Sequence, residues 1–344
     1  MKRFVIICLI LFGVFAVLFA ISVGATGINL EKGLNISLNS TTPVISLGNG
    51  GYGVTFIENG NTVNHSAENG EYKYDFDGKK VTDISIGVTN ADTVIKCGEG
   101  DSIKVRYRKN IVNGFQSFKA EVKDNKLIVK ESIFTILYFG GERNSLEIIL
   151  PEKEYNSFDM ANVSGNCSID GVICKTFGSV LTSGNADYSI YGEKIKLDNV
   201  SGSSEVTNCT DREAKSVKLV SISGSHTIRG FMAEDIDIDT ASGDVTAEGI
   251  SGTVKINSVS GRINLGYARW DGDLKVDMVS GDCDITLPEK SGVDIDFDRV
   301  SGDLRVNLEG NKTNFSGSTE TTIGSENVHR IDADVVSGNI HISN

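Results

Sequence analysis

Carboxylates set four residues before a recurring glycine are the side chains in this chain best placed to do chemistry. Asp198, Asp239, Asp277, Asp298 and Asp334, with Asn257 in the equivalent place, repeat along the C-terminal half. If the repeating units stack as β-layers, such carboxylates stand about 5 Å apart and repel one another unless a cation or a base intervenes. Calcium is the ion that oxygen ligands of this kind would hold, with Asp277, Asp298 and Asp334 as its candidate ligands. Two places earlier stand Lys196, Lys218, Lys255 and Lys275, which can screen the acids. No calcium-loop motif accompanies them, so a solvated charged face is the plainer reading and no cofactor is expected.

Asp294, Asp296 and Asp298 beside Arg299 could imitate the paired carboxylates of glycoside hydrolysis. Alternating acids on an exposed strand are explained by solubility alone, however, and the chain is read as a non-enzyme. Tyr267 and Trp270, in Gly-Tyr-Ala-Arg-Trp-Asp-Gly, interrupt the repeat and are the candidate ligand-binding residues. They could grip a sugar or a protein, or simply cover the edge of a coil. His65, His226, His329 and His341 have neither metal nor triad spacing and read as surface residues. Cys167 and Cys283 fall two places after a repeat glycine, where other units carry Val245 or Ile263, and read as small buried hydrophobes.

The elements that must position these side chains are announced by Ser-Gly. The glycines are Gly165, Gly184, Gly202, Gly224, Gly243, Gly261, Gly281, Gly302 and Gly338. Their spacing of about twenty residues is too short for a helical repeat and suits one turn of a β-solenoid. Around each glycine apolar residues tend to recur seven, five and two places before and two and four places after; around Gly281 these are Leu274, Val276, Val279, Cys283 and Ile285. Period-two alternation turns one strand face inward, and the slip between the fifth and second places predicts a bend or bulge there. Asp244, Asp282 and Asp303, with Asn166, Asn185 and Asn339, directly follow the glycine and predict a turn role. The interval from Gly302 to Gly338 is near twice the period, so Glu309 to Glu326 reads as a degraded coil or a polar loop.

The expected fold is therefore all-β, a parallel β-solenoid of about 20-residue coils preceded by one transmembrane helix. Residues 1–25 read as a membrane anchor or signal, 26–50 as a flexible linker, 51–150 as an N-terminal β section that starts or caps the stack, and 151–344 as the Ser-Gly repeat. Lys2 and Arg3 precede an apolar run over residues 4–25, which places the remainder outside the cytoplasm as a single-pass protein. A net charge of −13 argues against nucleic acid as a partner. The remaining partners are the membrane itself and a cell-surface protein or polysaccharide; oligomeric state is not readable.

Ser145-Leu-Glu-Ile-Ile-Leu-Pro151, then Tyr155, then Val163-Ser-Gly-Asn166, Val279-Ser-Gly-Asp-Cys-Asp-Ile-Thr-Leu-Pro288 and Val300-Ser-Gly-Asp303 resemble the bacterial envelope family labelled "putative adhesin", of unknown function and including LiaG-like proteins. The resemblance runs from about Ile84 to Asn344. It implies an extended β-solenoid at the cell surface and, for some members, an association with envelope-stress signalling; it transfers no catalytic residue. The chain is thus expected to be a non-catalytic interaction, adhesion or scaffold module. The alternative is an accessory protein regulating envelope stress beside a membrane partner.

Overall fold

The computed structural model describes residues 44–48, 51–55, 66–68, 70–109, 115–134 and 143–344, and the helix expected over 1–25 lies outside them. Among the described residues there is no helix, and twenty-two strands form one continuous sheet. Strands pair in parallel through the repeats: Ile236 stands on Val254, Val254 on Leu274 and Leu274 on Ile331. The strands after the glycine stack in the same way, Val245 on Ile263 and Ile263 on Cys283. The domain is a β-solenoid, each coil supplying one strand before the Ser-Gly corner and one after it.

The corner explains why its residue types recur. Ser183, Ser201 and Ser242 donate their hydroxyls to the carbonyl of the residue two places before the glycine in the preceding coil, at 3.1, 3.1 and 3.2 Å. A Cβ on Gly224 would run into the carbonyl oxygen of Gly202, and Gly224 also has a φ of 117°. Glycine is demanded there twice over, by backbone conformation and by the close approach of the neighbouring coil. The Asx residue that follows does not bond its own turn. Asp244 accepts from the N–H of Arg262 at 2.9 Å and Asn166 from that of Asn185 at 3.1 Å, so each corner stitches itself to the next.

Burial corrects the expected phase. Inward alternation continues to the third place before the glycine, burying Thr240, Ser258 and Met278. Ala241, Val259 and Val279, expected inside, lie half-buried at the corner, and Val300 is 79% exposed. The bend comes at Ser-Gly, not before it, so no phase slip is needed. A second consequence is that the interior is partly polar. His226, read from sequence as a surface residue, is 1% exposed. Its Nδ1 lies 2.8 Å from Ser204 Oγ and 3.2 Å from Asn199 Nδ2, and its Nε2 lies 2.6 Å from Ser221 Oγ. Burial pushes the ring's pKa down to about 4.

The coils do not stack in chain order throughout. Strand Val328–Ser343, carrying Gly338, pairs on one side with Leu274–Thr286 and on the other with Gly292–Ser301 and Leu304–Leu308. The Gly338 coil therefore sits between the Gly281 and Gly302 coils. The segment expected as a degraded coil or polar loop forms two strands, Asn311–Phe315 and Thr319–Ile323, antiparallel to the Gly302 coil. These polar strands close an edge that would otherwise present unpaired backbone to another chain.

At the other end Asp83–Gly98 is the first coil, pairing with the Gly165 coil on one side and with Lys126–Phe134 and Asn144–Pro151 on the other. Antiparallel strands Glu71–Asp77, Ser102–Arg108 and Phe115–Lys123 complete this end. They enclose Tyr107 stacked on Phe118 at 4.0 Å, and a buried Glu131 that accepts from Tyr107, Asn144 and the N–H groups of Thr89 and Asn90 at 2.6 to 2.9 Å. A buried carboxylate is tolerated when its lone pairs are filled in this way.

Candidate functional site

The outward face of the strands before the corner carries charge in two rows. The fourth-place row runs Asp239, Asn257, Asp277, Asp334 and Asp298 through successive coils, with Asp277 and Asp298 both paired in register to Asp334. The sixth-place row runs Lys218, Asp237, Lys255, Lys275, Asp332 and Asp296. Strand pairing thus brings Asp277, Asp298 and Asp334 into three adjacent layers. Among the described residues, however, no three acidic, histidine or cysteine side chains gather as a metal site.

What the rows do instead is offset part of their negative charge with lysines. Lys196 meets Asp198 at 2.7 Å, Lys218 meets Asp237 at 2.6 Å and Asp239 at 3.1 Å, and Asn257 Nδ2 donates to Asp239 at 2.6 Å. Lys275 lies 3.5 Å from Asp277 and 3.6 Å from Asp332. Burial disfavours the Lys275 ammonium, but the carboxylates of Asp277, Asp332 and Asp334 outweigh it, and its pKa stands above the ordinary value. Lys218 is raised in the same manner: burial lowers it, while Asp237 and Asp239 raise it further. These lysines are the bases that the sequence placed two residues from the acids.

Asp294 and Asp296 turn to partners other than Arg299. Asp296 accepts from Arg330 at 2.7 Å and Asp294 from Thr322 Oγ1 at 3.0 Å. The Arg299 guanidinium turns to the carbonyls of Gly302 and Ser316, tying the end strands together. Tyr267 and Trp270, the candidate ligand-binding pair, are 7% and 4% exposed. Their rings meet edge to face at 4.8 Å and Trp270 Nε1 donates to Gly292 O at 2.9 Å. The gripping role gives way to the covering one, because neither ring face is offered to solvent.

Cys167 and Cys283 are buried, and burial pushes both thiols up to about 12, which removes thiolate chemistry. His329 lies 3.9 Å from Asp273 and packs edge-on against Trp270, while His341 lies 3.6 Å from Asp284. The buried His226 cluster had no signal of its own in the sequence. A polar residue two places after the glycine, where Val245 and Ile263 stand in other coils, is the one cue that marks it.

The sequence model described as Toastrack DUF4097 matches residues 81–343. Three crystal structures show low similarity. One of a "putative adhesin" from Bacteroides fragilis NCTC 9343 is 15% identical, covering 80% of this chain and 98% of that one, with a TM-score of 0.41. A "putative cell adhesion protein" from Clostridium sporogenes ATCC 15579 is 14% identical, covering 79% and 98%, with a TM-score of 0.20. A "putative adhesin" from Parabacteroides distasonis ATCC 8503 is 13% identical, covering 79% and 96%, with a TM-score of 0.38. Among curated proteins none matches.

Proposed function

The chain belongs to the Toastrack DUF4097 family, and from that premise we propose that it is a non-catalytic interaction or scaffold module of the bacterial cell envelope. Residues 4–25 hold it to the membrane and the solenoid stands outside the cytoplasm. The observation that carries this reading is the division of labour across each strand. Inward places are spent on packing, while outward places hold partly paired charges in rows that run from coil to coil. A face fixed at one layer per step is a template for an extended partner, in the way solenoids use their long surfaces. Two of the three acids that could have run hydrolysis, Asp296 and Asp294, are committed to Arg330 and Thr322.

The test is to tag the C-terminus of the full chain and treat intact cells, with any outer layer permeabilised, with protease. Digestion of the tag while the chain remains in the membrane fraction supports the reading. A protected tag, or a chain recovered in the soluble cytoplasmic fraction, overturns it. The envelope-stress accessory reading stands beside it because the anchor could meet a membrane partner. Replacing residues 1–25 with a cleavable signal separates the two: stress signalling that survives the replacement removes the accessory reading.

A further inference from the structure

Insertion of the last coil builds, on the face after the corner, a side-chain set that no consecutive stretch of the repeat contains. Arg262, then Asp282 with Asp284, then Asn339 with His341, then Arg305 lie side by side in successive layers. They line a trough of about 280 Å³ floored by the buried Ile340. That volume is close to the lower end of ligand sites, roughly 300 Å³.

The two arginines are what sets the trough apart. Register stands Arg262 directly against Asp282, the obvious ion pair, yet the pair does not form. Asp282 Oδ1 is turned to the far side, where it accepts from Asn339 N at 3.2 Å and Nδ2 at 2.9 Å as part of the corner stitching. Arg305 is flanked by His341 and Asn314, neither of them an acid. Elsewhere Arg106, Arg212, Arg229, Arg269 and Arg330 all lie on carboxylates. In a chain of net charge −13, two guanidiniums left without a hydrogen bond or ion pair in one cavity are held in reserve for an anion.

Unpaired guanidinium recognises carboxylate in a planar, two-pronged manner. Here the two stand three layers apart and two residues out of line along the strand, about 16 Å between strand positions. Between them the Asp284 and His341 pair, 3.6 Å apart, and the Asn339 amide offer planar donors and acceptors suited to hydroxyl groups. The central carboxylates would repel a continuous run of phosphates, and the trough has no open strand edge for a peptide backbone. We propose that this trough binds an acidic saccharide, its carboxylates on Arg262 and Arg305 and its hydroxyls on Asp284, Asn339 and His341. The proposal rests on the interaction-module reading and gives it a ligand class.

The test uses the full chain in neutral detergent micelles, titrated calorimetrically with trigalacturonic acid. Maltotriose, with the hydroxyls but no carboxylates, and triglutamate, with the carboxylates but no hydroxyls, are the comparison probes. Saturable binding of trigalacturonate is expected, at least tenfold tighter than triglutamate, with none for maltotriose. Arg262→Ala and Arg305→Ala should each weaken it at least tenfold with an unchanged melting temperature, since neither side chain holds the fold together. No saturable binding overturns the proposal, as does undiminished binding in the double variant. Equal affinity for triglutamate overturns it in favour of an acidic-peptide site. The protease test of surface display involves no ligand, so failure here leaves the surface role standing.

Discussion

Between Gly202 and Gly281 every coil rests on the one written immediately before it, whereas beyond Gly281 the last coil slips in ahead of its predecessor. In the first region a single code serves each corner: the serine N–H to the preceding carbonyl and glycine against glycine, joined in several coils by the serine hydroxyl to that same carbonyl and an Asx residue to the next N–H. The second region obeys the same code through space but not along the chain. Asp282 stitches to Asn339, and Asn339 accepts from the N–H of Asp303 at 3.1 Å. Corner chemistry therefore specifies that coils stack, and leaves their order to whatever closes the end.

Removing the inserted coil should have the largest effect. Deleting residues 328–344 strips out Ile331, Ala333, Val335, Ile340 and Ile342, all buried between the Gly281 and Gly302 coils. At about 1.5 to 3 kcal/mol for each large apolar side chain, the loss approaches the whole stability of an ordinary domain. Limited proteolysis should then cut throughout residues 288–327. If that segment stayed resistant, the Gly302 coil would have re-docked directly on the Gly281 coil, and the distinction between the regions would fail.

Next in size is the glycine ladder of the regular region. Gly224→Ala forces a Cβ onto the Gly202 carbonyl at a backbone conformation that L-residues resist, and should cost at least about 3 kcal/mol. Gly317→Ala, also preceded by serine but with nothing within 4 Å of its Cβ, should change the melting temperature little. Equal losses at the two sites would show that the ladder, not merely its neighbourhood, has been misassigned.

These contrasts bear on how far the fold could be read from residue types. Alternation and the Ser-Gly interval state the coil, because each side chain's burial depends on its own strand. The inward third place was missed because it holds Thr240, Ser258 and Asn199 in place of aliphatics, while Val259 and Val279 beside it mimic a core row. Burial of His226 depends on two partners from the neighbouring Gly202 coil, Asn199 and Ser204, and on Ser221 across its own corner. The trough was invisible for a stronger reason: Asp284 and His341 adjoin only because a strand 57 positions later occupies the adjacent layer. Spacing read on the linear chain puts Arg305 after Asp284, with no layer between them.

His226 gives the regular region a pH dependence of its own. Burial depresses its pKa from 6.5 to about 4, so the unfolded chain binds more protons between those values. The stabilisation is complete above about pH 6.5 and is lost as pH falls toward 4, amounting to about 3 kcal/mol from a gap of about 2.5 pKa units. Urea unfolding followed between pH 7 and pH 4 should show this slope, and His226→Val, which copies Val245 in the next coil, should flatten it. An unaltered slope in that variant would move the titration to another group.

The smallest difference expected is between two lysines of the outward rows. Lys218 in the regular region meets two carboxylates at 2.6 and 3.1 Å, and Lys275 at the junction meets two at 3.5 and 3.6 Å. Contact distance alone makes Lys218→Met the costlier change. Charge density argues the other way, since register stacks Asp277 on Asp334 and Lys275 on Asp332, so removing Lys275 leaves carboxylates facing carboxylates about 5 Å apart. Both ammonium groups are more than a third exposed, and solvent screening holds each loss to about 1 kcal/mol or less. Salt separates the two effects, because added ions weaken attraction and repulsion alike over a Debye length of about 10 Å at 0.1 M. Lys275→Met should therefore be destabilising at low salt and largely rescued at 1 M, whereas Lys218→Met should show a smaller rescue. If the two variants respond to salt identically, the inserted coil has brought no excess of negative charge to the junction.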